Sequence, residues 1–333
     1  MEPKFRTEVE IPEFVNKTGY AHKSMFLGSC FTENIGNRMN ELKFPVDINP
    51  FGILYNPGSI AGALKLLLNP DEFSQSDLIQ HNGLWHSFLH HGRFSSENRD
   101  EILKNMNNRL QVSSAFLKES GFLFVTFGTS WVYRYKKSGE IVANCHKIPD
   151  KEFTRERLSV DEIVVGFKQI IDEIKNHNPE IRLVFTVSPI RHWKDGAVEN
   201  QRSKAILLVA IDEIVKAFPE NCTYFPAYEL MMDELRDYRF YAPDMLHISD
   251  VAIDFIWEKF ANALIDAESR KISMSIKKIV QAINHKPFNK NSPEYVRFSQ
   301  QILTQINKLE KEVKNIDFTG EKVYFFGSDK QLS

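Results

Sequence analysis

Cysteine is scarce in this 333-residue chain: Cys30, Cys145 and Cys222 stand far apart, odd in number and without a C-x-x-C pair. That spacing excludes a disulfide framework and a structural zinc site, and reduced thiols are expected. Long apolar runs are missing too, since none reaches the roughly 18 residues that a membrane-spanning helix needs. The charged start Met1-Glu2-Pro3-Lys4-Phe5-Arg6 lacks the apolar stretch of a secretory signal. A cytoplasmic protein with no membrane partner is the expectation. Charge of one sign is also lacking: 42 Lys+Arg face 44 Asp+Glu, a net charge of −2, so no global field draws nucleic acid to the chain. Neither Gly52 nor Gly58 lies in a G-x-G-x-x-G or Walker A pattern, and no H-E-x-x-H accompanies the histidines. No nucleotide cofactor and no metal are therefore expected. No repeat or low-complexity tract interrupts the chain.

Apolar residues at 42% and charged residues at 26% are ordinary for a globular protein. The length exceeds what one hydrophobic core usually fills, which points to a main domain with an appendage. Met25-Phe26-Leu27 reads as a short buried strand running through Gly28-Ser29-Cys30 into a helix marked by Ile35, Met39 and Leu42. Apolar spacing predicts packing helices after Pro57-Gly58 and over Asn98 to Glu119, and the continuous run Phe122 to Phe127 predicts a central strand buried on both faces. Trp131 to Tyr135 and Ile141 to Cys145 flank Lys136-Lys137-Ser138-Gly139 as a hairpin able to overhang a site. Ser159 with Glu162 is a capping-box pattern that opens a helix, followed by a buried strand over Ile181 to Val187. A helix from about Glu199 to Phe218, a strand at Cys222 to Phe225 and a helix from about Ser249 to Ala267 continue the alternation. The fold class expected is α/β, a three-layer α/β/α sandwich with a mostly parallel sheet. Beyond Arg270 the composition turns Lys-, Asn- and Gln-rich, and two helices separated at Pro287 to Pro293 are predicted; Phe325 to Ser333 carries no assignable pattern. Residues 1–268 are read as the main domain and 269–333 as a helical appendage, free to cover a site or to support a homodimer.

In an open parallel sheet, ligands bind beyond the carboxyl ends of the strands. Cys30 falls in such a loop, at the start of a helix whose unpaired N–H groups favour thiolate. The alternative is a small buried residue at a strand end. Tyr241-Ala242-Pro243-Asp244-Met245-Leu246-His247 precedes a helix with Ser249 as its N-cap. Asp244 and His247, three apart on a loop, allow the carboxylate to orient an imidazole towards a nucleophile; helix capping is the alternative use of the same pair.

Taken together these residues resemble the SGNH-hydrolase superfamily, and more closely the GSCFA-domain family, whose naming motif is matched by Gly28-Ser29-Cys30-Phe31 with Thr32 in place of the final Ala. The resemblance covers about residues 1–265 and implies an SGNH/flavodoxin-like sheet. It places Cys30 at the position of the nucleophilic serine and matches Asp244 and His247 to the late D-x-x-H block. It also puts Gly52, within Asn49-Pro50-Phe51-Gly52, at the glycine that lends an N–H to the oxyanion hole. Gly128-Thr129-Ser130 stands for the G-x-N-D block, with Ser130 where Asn is usual, which weakens that oxyanion donor. A thiol in place of a hydroxyl gives a thioester, suited to transfer as much as to hydrolysis.

Ser29 is the second candidate nucleophile. His146, at the end of the hairpin, and Arg191 with His192, after the strand ending at Val187, are candidate substrate contacts. His86 and His90 are read at i,i+4 spacing on a helix, with Trp85 and Phe88 arguing for packing over a metal. The resulting expectation is an ester hydrolase or acyltransferase acting on a small-molecule or carbohydrate ester. The carbohydrate preference rests on similarity to SGNH esterases and on aromatics such as Trp131 and Trp193. The competing expectation is a binding or scaffold protein that keeps the fold and has lost catalysis.

Overall fold

The computed structural model describes residues 6–284, 289 and 292–326. Five strands, β1 (Lys23–Gly28), β2 (Val46–Ile48), β5 (Ser120–Phe127), β9 (Arg182–Val187) and β10 (Cys222–Tyr224), form one parallel sheet in the order β10-β9-β5-β1-β2. Between β2 and β5 lie α2 (Pro57–Leu68), the hairpin β3 (Ile79–His81) and β4 (Leu84–His86), and α3 (Arg99–Lys118). Strand side chains alternate between two cores. Leu27, Leu123, Val125, Phe127, Leu183 and Phe185 pack under α2, α3, α4 (Val160–His177) and α5 (Gly196–Ala217). Phe26, Phe122, Phe124 and Val184 pack against α1 (Cys30–Glu41) and α7 (Asp250–Leu264), with the Phe26 and Phe124 rings stacked at 4.5 Å. Burial on both faces explains why these strands read as unbroken apolar runs, and truncating such a core residue to Ala costs roughly 2–5 kcal/mol.

The helices begin where their caps demand. Asn56 Oδ1 accepts the Ser59 N–H at 2.8 Å with Pro57 opening α2, and the Ser159–Glu162 capping box is formed in full at α4. Over the rim beyond β5, the expected hairpin of β6 (Trp131–Tyr135) and β7 (Ile141–Val142) gains a third strand, β8 (Phe153–Arg157), paired with β6 along five residues. β8 escaped the sequence reading because Thr154-Arg155-Glu156-Arg157 is polar; its partners are cross-strand, Arg134 to Glu156 at 2.7 Å among them.

Some boundaries differ. α5 starts at Gly196, earlier than read, and the helix read through Ala267 ends at Leu264, with α8 (Ala267–Asn284) starting anew. After β10 a single turn, α6 (Ala227–Glu229), runs into a π-turn at Leu230–Glu234. His86 and His90 lie on no helix: His86 ends β4, and His90 stands in the turn after it, so the i,i+4 reading fails because the local pattern is a hairpin.

The C-terminal helices α8, α9 (Pro293–Glu312) and α10 (Thr319–Phe326) enclose their own core of Ile276, Ile279, Ile306, Leu309, Phe318 and Phe325. Part of the Pro287 to Pro293 separator, and the tail after Phe326, lie outside the described residues. These helices meet the main domain through Tyr20 and Lys43, the latter paired with Glu321 at 2.6 Å and set over the Phe318 ring. Tyr20 precedes β1 and Lys43 precedes β2, so this junction is at the amino edge of the sheet. The appendage therefore does not cover the rim that carries Cys30, as the sequence reading had allowed.

Candidate active site

Strand order reverses between β1 and β5, the switch point beyond whose carboxyl ends open α/β sheets bind ligands. Gly28 ends β1 with φ +143°, and a Cβ on it would sit 2.2 Å from Thr126 O. Only glycine lets the chain turn this close to β5. Its N–H donates to Asn49 Oδ1 at 2.9 Å, which ties the turn to the loop after β2. Ser29 is the N-cap of α1, yet its hydroxyl caps nothing; it is buried and, among the described residues, without a hydrogen-bond partner. Half-buried Cys30 follows as the first helical residue.

The sequence reading expected the helix start to favour thiolate at Cys30. Burial outweighs it and raises the thiol above its ordinary range; hydrogen bonds from the Phe31 and Cys30 N–H groups pull it back, Glu33 adds to the rise and Lys204 opposes it. Cys145 is pushed further, to about 11, and Cys222 to about 12, both by burial. Iodoacetamide is therefore expected to modify Cys30 first, Cys145 next and Cys222 last at mildly alkaline pH, read by peptide mass spectrometry. Equal labelling of all three would contradict this environment for Cys30.

Asp244 and His247 meet as a pair. Asp244 Oδ2 accepts from His247 Nδ1 at 2.5 Å, while Oδ1 takes the N–H groups of Leu246 and His247, each at 2.9 Å. The His247 hydrogen bond first, then the two amides, hold the carboxyl down at about 2, so Asp244 stays ionised and fixes the tautomer that leaves Nε2 free. Met245, between them, has φ +60°, and both side chains are exposed. Leu264, at the far end of α7, accepts the Thr18 N–H at 2.8 Å, beside the start of β1. α7 thus runs antiparallel to the sheet and its N-terminal loop, with His247, lies on the same rim as Cys30. Among the described residues no hydrogen bond joins His247 to Cys30 or Ser29.

The expected oxyanion donors are otherwise engaged. The Gly52 N–H closes a turn to Asn49 O at 2.8 Å; Gly52 has φ +81° and a Cβ there would meet His91 Cβ at 2.3 Å, so backbone geometry accounts for the glycine. The Gly128 N–H donates to Tyr55 O at 2.8 Å. Ser130 is fully buried and turns its hydroxyl to Ser203 Oγ at 3.0 Å. His146 does not face the rim: its ring stacks on His86 at 4.4 Å, Nε2 reaches Ser87 O at 2.8 Å, and burial lowers it to about 4. Arg191 turns to Met232 Sδ at 3.3 Å.

His192, by contrast, lines a cleft of about 410 Å³ together with Tyr55, His91, Trp131, Arg155 and Lys194. Burial lowers the His192 imidazole, with Asp195 opposing. Arg155 covers Trp131 at 4.3 Å and is bonded to Asp195 at 2.5 Å; Trp193 is exposed beside this region and does not line the cleft. Tyr55 stands between the cleft it lines and the loop that carries Cys30: a Cβ on Gly128 would lie 3.4 Å from Tyr55 Cδ1 and 3.5 Å from Ser29 Cβ.

One residue escaped the sequence reading. Lys204 of α5 is fully buried and donates to Gly128 O at 2.8 Å and Ser188 O at 2.7 Å, just beyond β5 and β9. Asn200, Ser203 and Lys204 share the buried face of α5 with Leu207; polar residues on a core face were the available signal.

A parallel α/β protein with a strand-to-helix turn carrying a cysteine at the switch point and an Asp–His pair on the same rim is the class that fold and site define. The chain belongs to the GSCFA family, whose profile matches residues 23–260, and the GSCFA domain protein C-terminal domain matches residues 276–326. Among solved structures it is similar to a Clostridium thermocellum family 3 carbohydrate esterase, at 14% identity and TM-score 0.32 over 79% of this chain and 99% of that one. It is also similar to a carbohydrate esterase family 3 from Talaromyces cellulolyticus, at 10% identity and TM-score 0.35 over 77% and 99%. A comparison with curated protein sequences finds no match. No helix among the described residues is long and apolar enough to cross a membrane.

Proposed function

We propose that this protein is an acyl-ester hydrolase or acyltransferase that works through Cys30, His247 and Asp244. The observation that carries the reading is the half-buried thiol at the start of α1, at the switch point of the sheet and near Tyr55, which lines the cleft. The Cys30 sulfur, its proton passed to His247 Nε2, attacks the ester carbonyl carbon. The tetrahedral intermediate collapses as the alkoxide leaves with that proton, and a thioester remains on Cys30. Water or an acceptor hydroxyl, deprotonated by His247, then attacks the thioester, releasing the acyl product and restoring the thiol. With Gly52, Gly128 and Ser130 engaged, the oxyanion falls to the Cys30 and Phe31 N–H groups, which hydrogen-bond the sulfur in the resting protein and shift to the adjacent oxygen once the S–C bond forms. Small esters and carbohydrate esters are the substrate class, matching the aromatic and amide lining of Tyr55, Trp131, Tyr133, Asn56 and Asn144.

The engaged oxyanion donors favour a second reading, a binding protein on the same fold. Mixing the protein with p-nitrophenyl acetate separates the two. An acetylated Cys30 peptide, with p-nitrophenol released beyond one equivalent, supports the enzyme; binding without acetylation supports the second reading. Asp244→Asn is expected to lower turnover by about 10²–10⁴-fold with little change in KM, because the imidazole loses its fixed tautomer. A rate equal to that of the unaltered protein would remove Asp244 from the mechanism.

A further inference from the structure

A buried amine with no carboxylate beside it needs an explanation, because burying a charge without a counter-charge is strongly unfavourable. Lys204 is such a group: its only hydrogen-bond partners are the carbonyls of Gly128 and Ser188, and no salt bridge reaches it among the described residues. The two carbonyls belong to adjacent strand ends, so the amine straddles the rim. A Cβ on Gly128 would lie 3.5 Å from Ser29 Cβ, so the carbonyl that Lys204 holds belongs to a residue beside the loop that carries Cys30.

We propose that Lys204 is a positioning residue, which holds the β5 and β9 ends together and sets the charge state of the Cys30 sulfur from within the protein. The inference rests on the reading of Cys30 as nucleophile. The groups around the pair are few. Glu33 and Tyr55 flank Cys30; Arg191, His192 and the Tyr228 ring, 5.8 Å away, flank Lys204. Of these, only Lys204 draws the thiol towards its charged form, and the sulfur in turn favours the ammonium. Burial brings Lys204 down to about 7, where a small change in surroundings moves its proton. With the amine lowered towards neutrality and the thiol raised above its ordinary range, removing either group is expected to move the titration of the other.

The test reads the thiol without reading ester turnover. Iodoacetamide alkylation of Cys30 is followed by peptide mass spectrometry from neutral to alkaline pH, in the unaltered protein and in Lys204→Gln, which keeps a neutral N–H donor and removes the charge. In K204Q, Cys30 is expected to react about tenfold more slowly at neutral pH, with its midpoint moved to higher pH and the Cys145 profile unmoved. An unchanged Cys30 profile overturns the proposal. Should K204Q fail to fold, Cys30→Ala decides: the Lys204 midpoint, followed by NMR on 13C-labelled lysine, falls when the sulfur is removed, and an unmoved midpoint overturns the coupling. A shifted profile without p-nitrophenyl acetate turnover would sink the esterase reading and leave this one standing; turnover with an unshifted profile would do the reverse.

Discussion

Cys30→Ala is expected to reduce p-nitrophenyl acetate turnover on the order of 10³-fold or more while leaving the unfolding midpoint nearly unchanged. The loss is large because every proposed bond-making step passes through the sulfur, and removing a nucleophile from a cooperating set costs nearly as much as removing the set. The fold is insensitive because Cys30 is half-buried at a helix start, makes no hydrogen bond to another side chain among the described residues, and Ala is a good helix former. Cys30→Ser is the informative companion. A hydroxyl at that position is a much weaker nucleophile at neutral pH, so turnover should fall well below that of the thiol but stay above that of the Ala variant. Turnover in C30A equal to that of the unaltered protein would move the chemistry elsewhere, with Ser29 as the next residue to replace.

The largest expected effect on stability belongs to Gly28→Ala. Its φ of +143° is a backbone conformation that side chains rarely adopt, and the added Cβ would meet Thr126 O at 2.2 Å and Thr126 N at 2.9 Å. Both contacts are backbone of the central strand β5, which cannot swing aside as a flexible side chain would. Strain and forced separation together cost roughly 2–6 kcal/mol, a large part of the ~5–15 kcal/mol that holds an ordinary domain together. The urea midpoint should drop accordingly, and soluble yield with it. A midpoint unchanged by the substitution would mean that β1 does not lie against β5 at this turn. Because Gly28 also anchors Asn49, the variant that folds should show a displaced Cys30 and altered alkylation.

Much of the fold was legible because burial on both faces writes strands as unbroken apolar runs. Leu27, Phe124 and Phe185 are core residues by composition alone, and Ser159 with Glu162 marks a helix start by hydrogen-bonding chemistry that needs no tertiary context. β2 and the β3–β4 hairpin were missed: each strand is three residues long, too short for a periodicity to show. At the site, the local turn Gly28-Ser29-Cys30 and the Asp244–His247 pair are contacts between near neighbours in sequence, where spacing does inform. The availability of Gly52, Gly128 and Ser130 was not legible, because their donors are taken by Asn49, Tyr55 and Ser203, and the last two of these lie on other elements.

The sequence by itself determined the alternation of buried strands and amphipathic helices, the family, and the turn that places a cysteine at a helix start; these follow from apolar periodicity, capping chemistry and the Gly28-Ser29-Cys30-Phe31 motif. Tertiary structure alone decided the strand order that sets the switch point between β1 and β5, the burial that raises the Cys30 thiol, and the arrival of Lys204 at the carbonyls of Gly128 and Ser188. The physical reason is one of range. Hydrogen-bonding and steric rules act over a few residues along the chain, whereas desolvation and charge coupling depend on what packs alongside from far away in sequence.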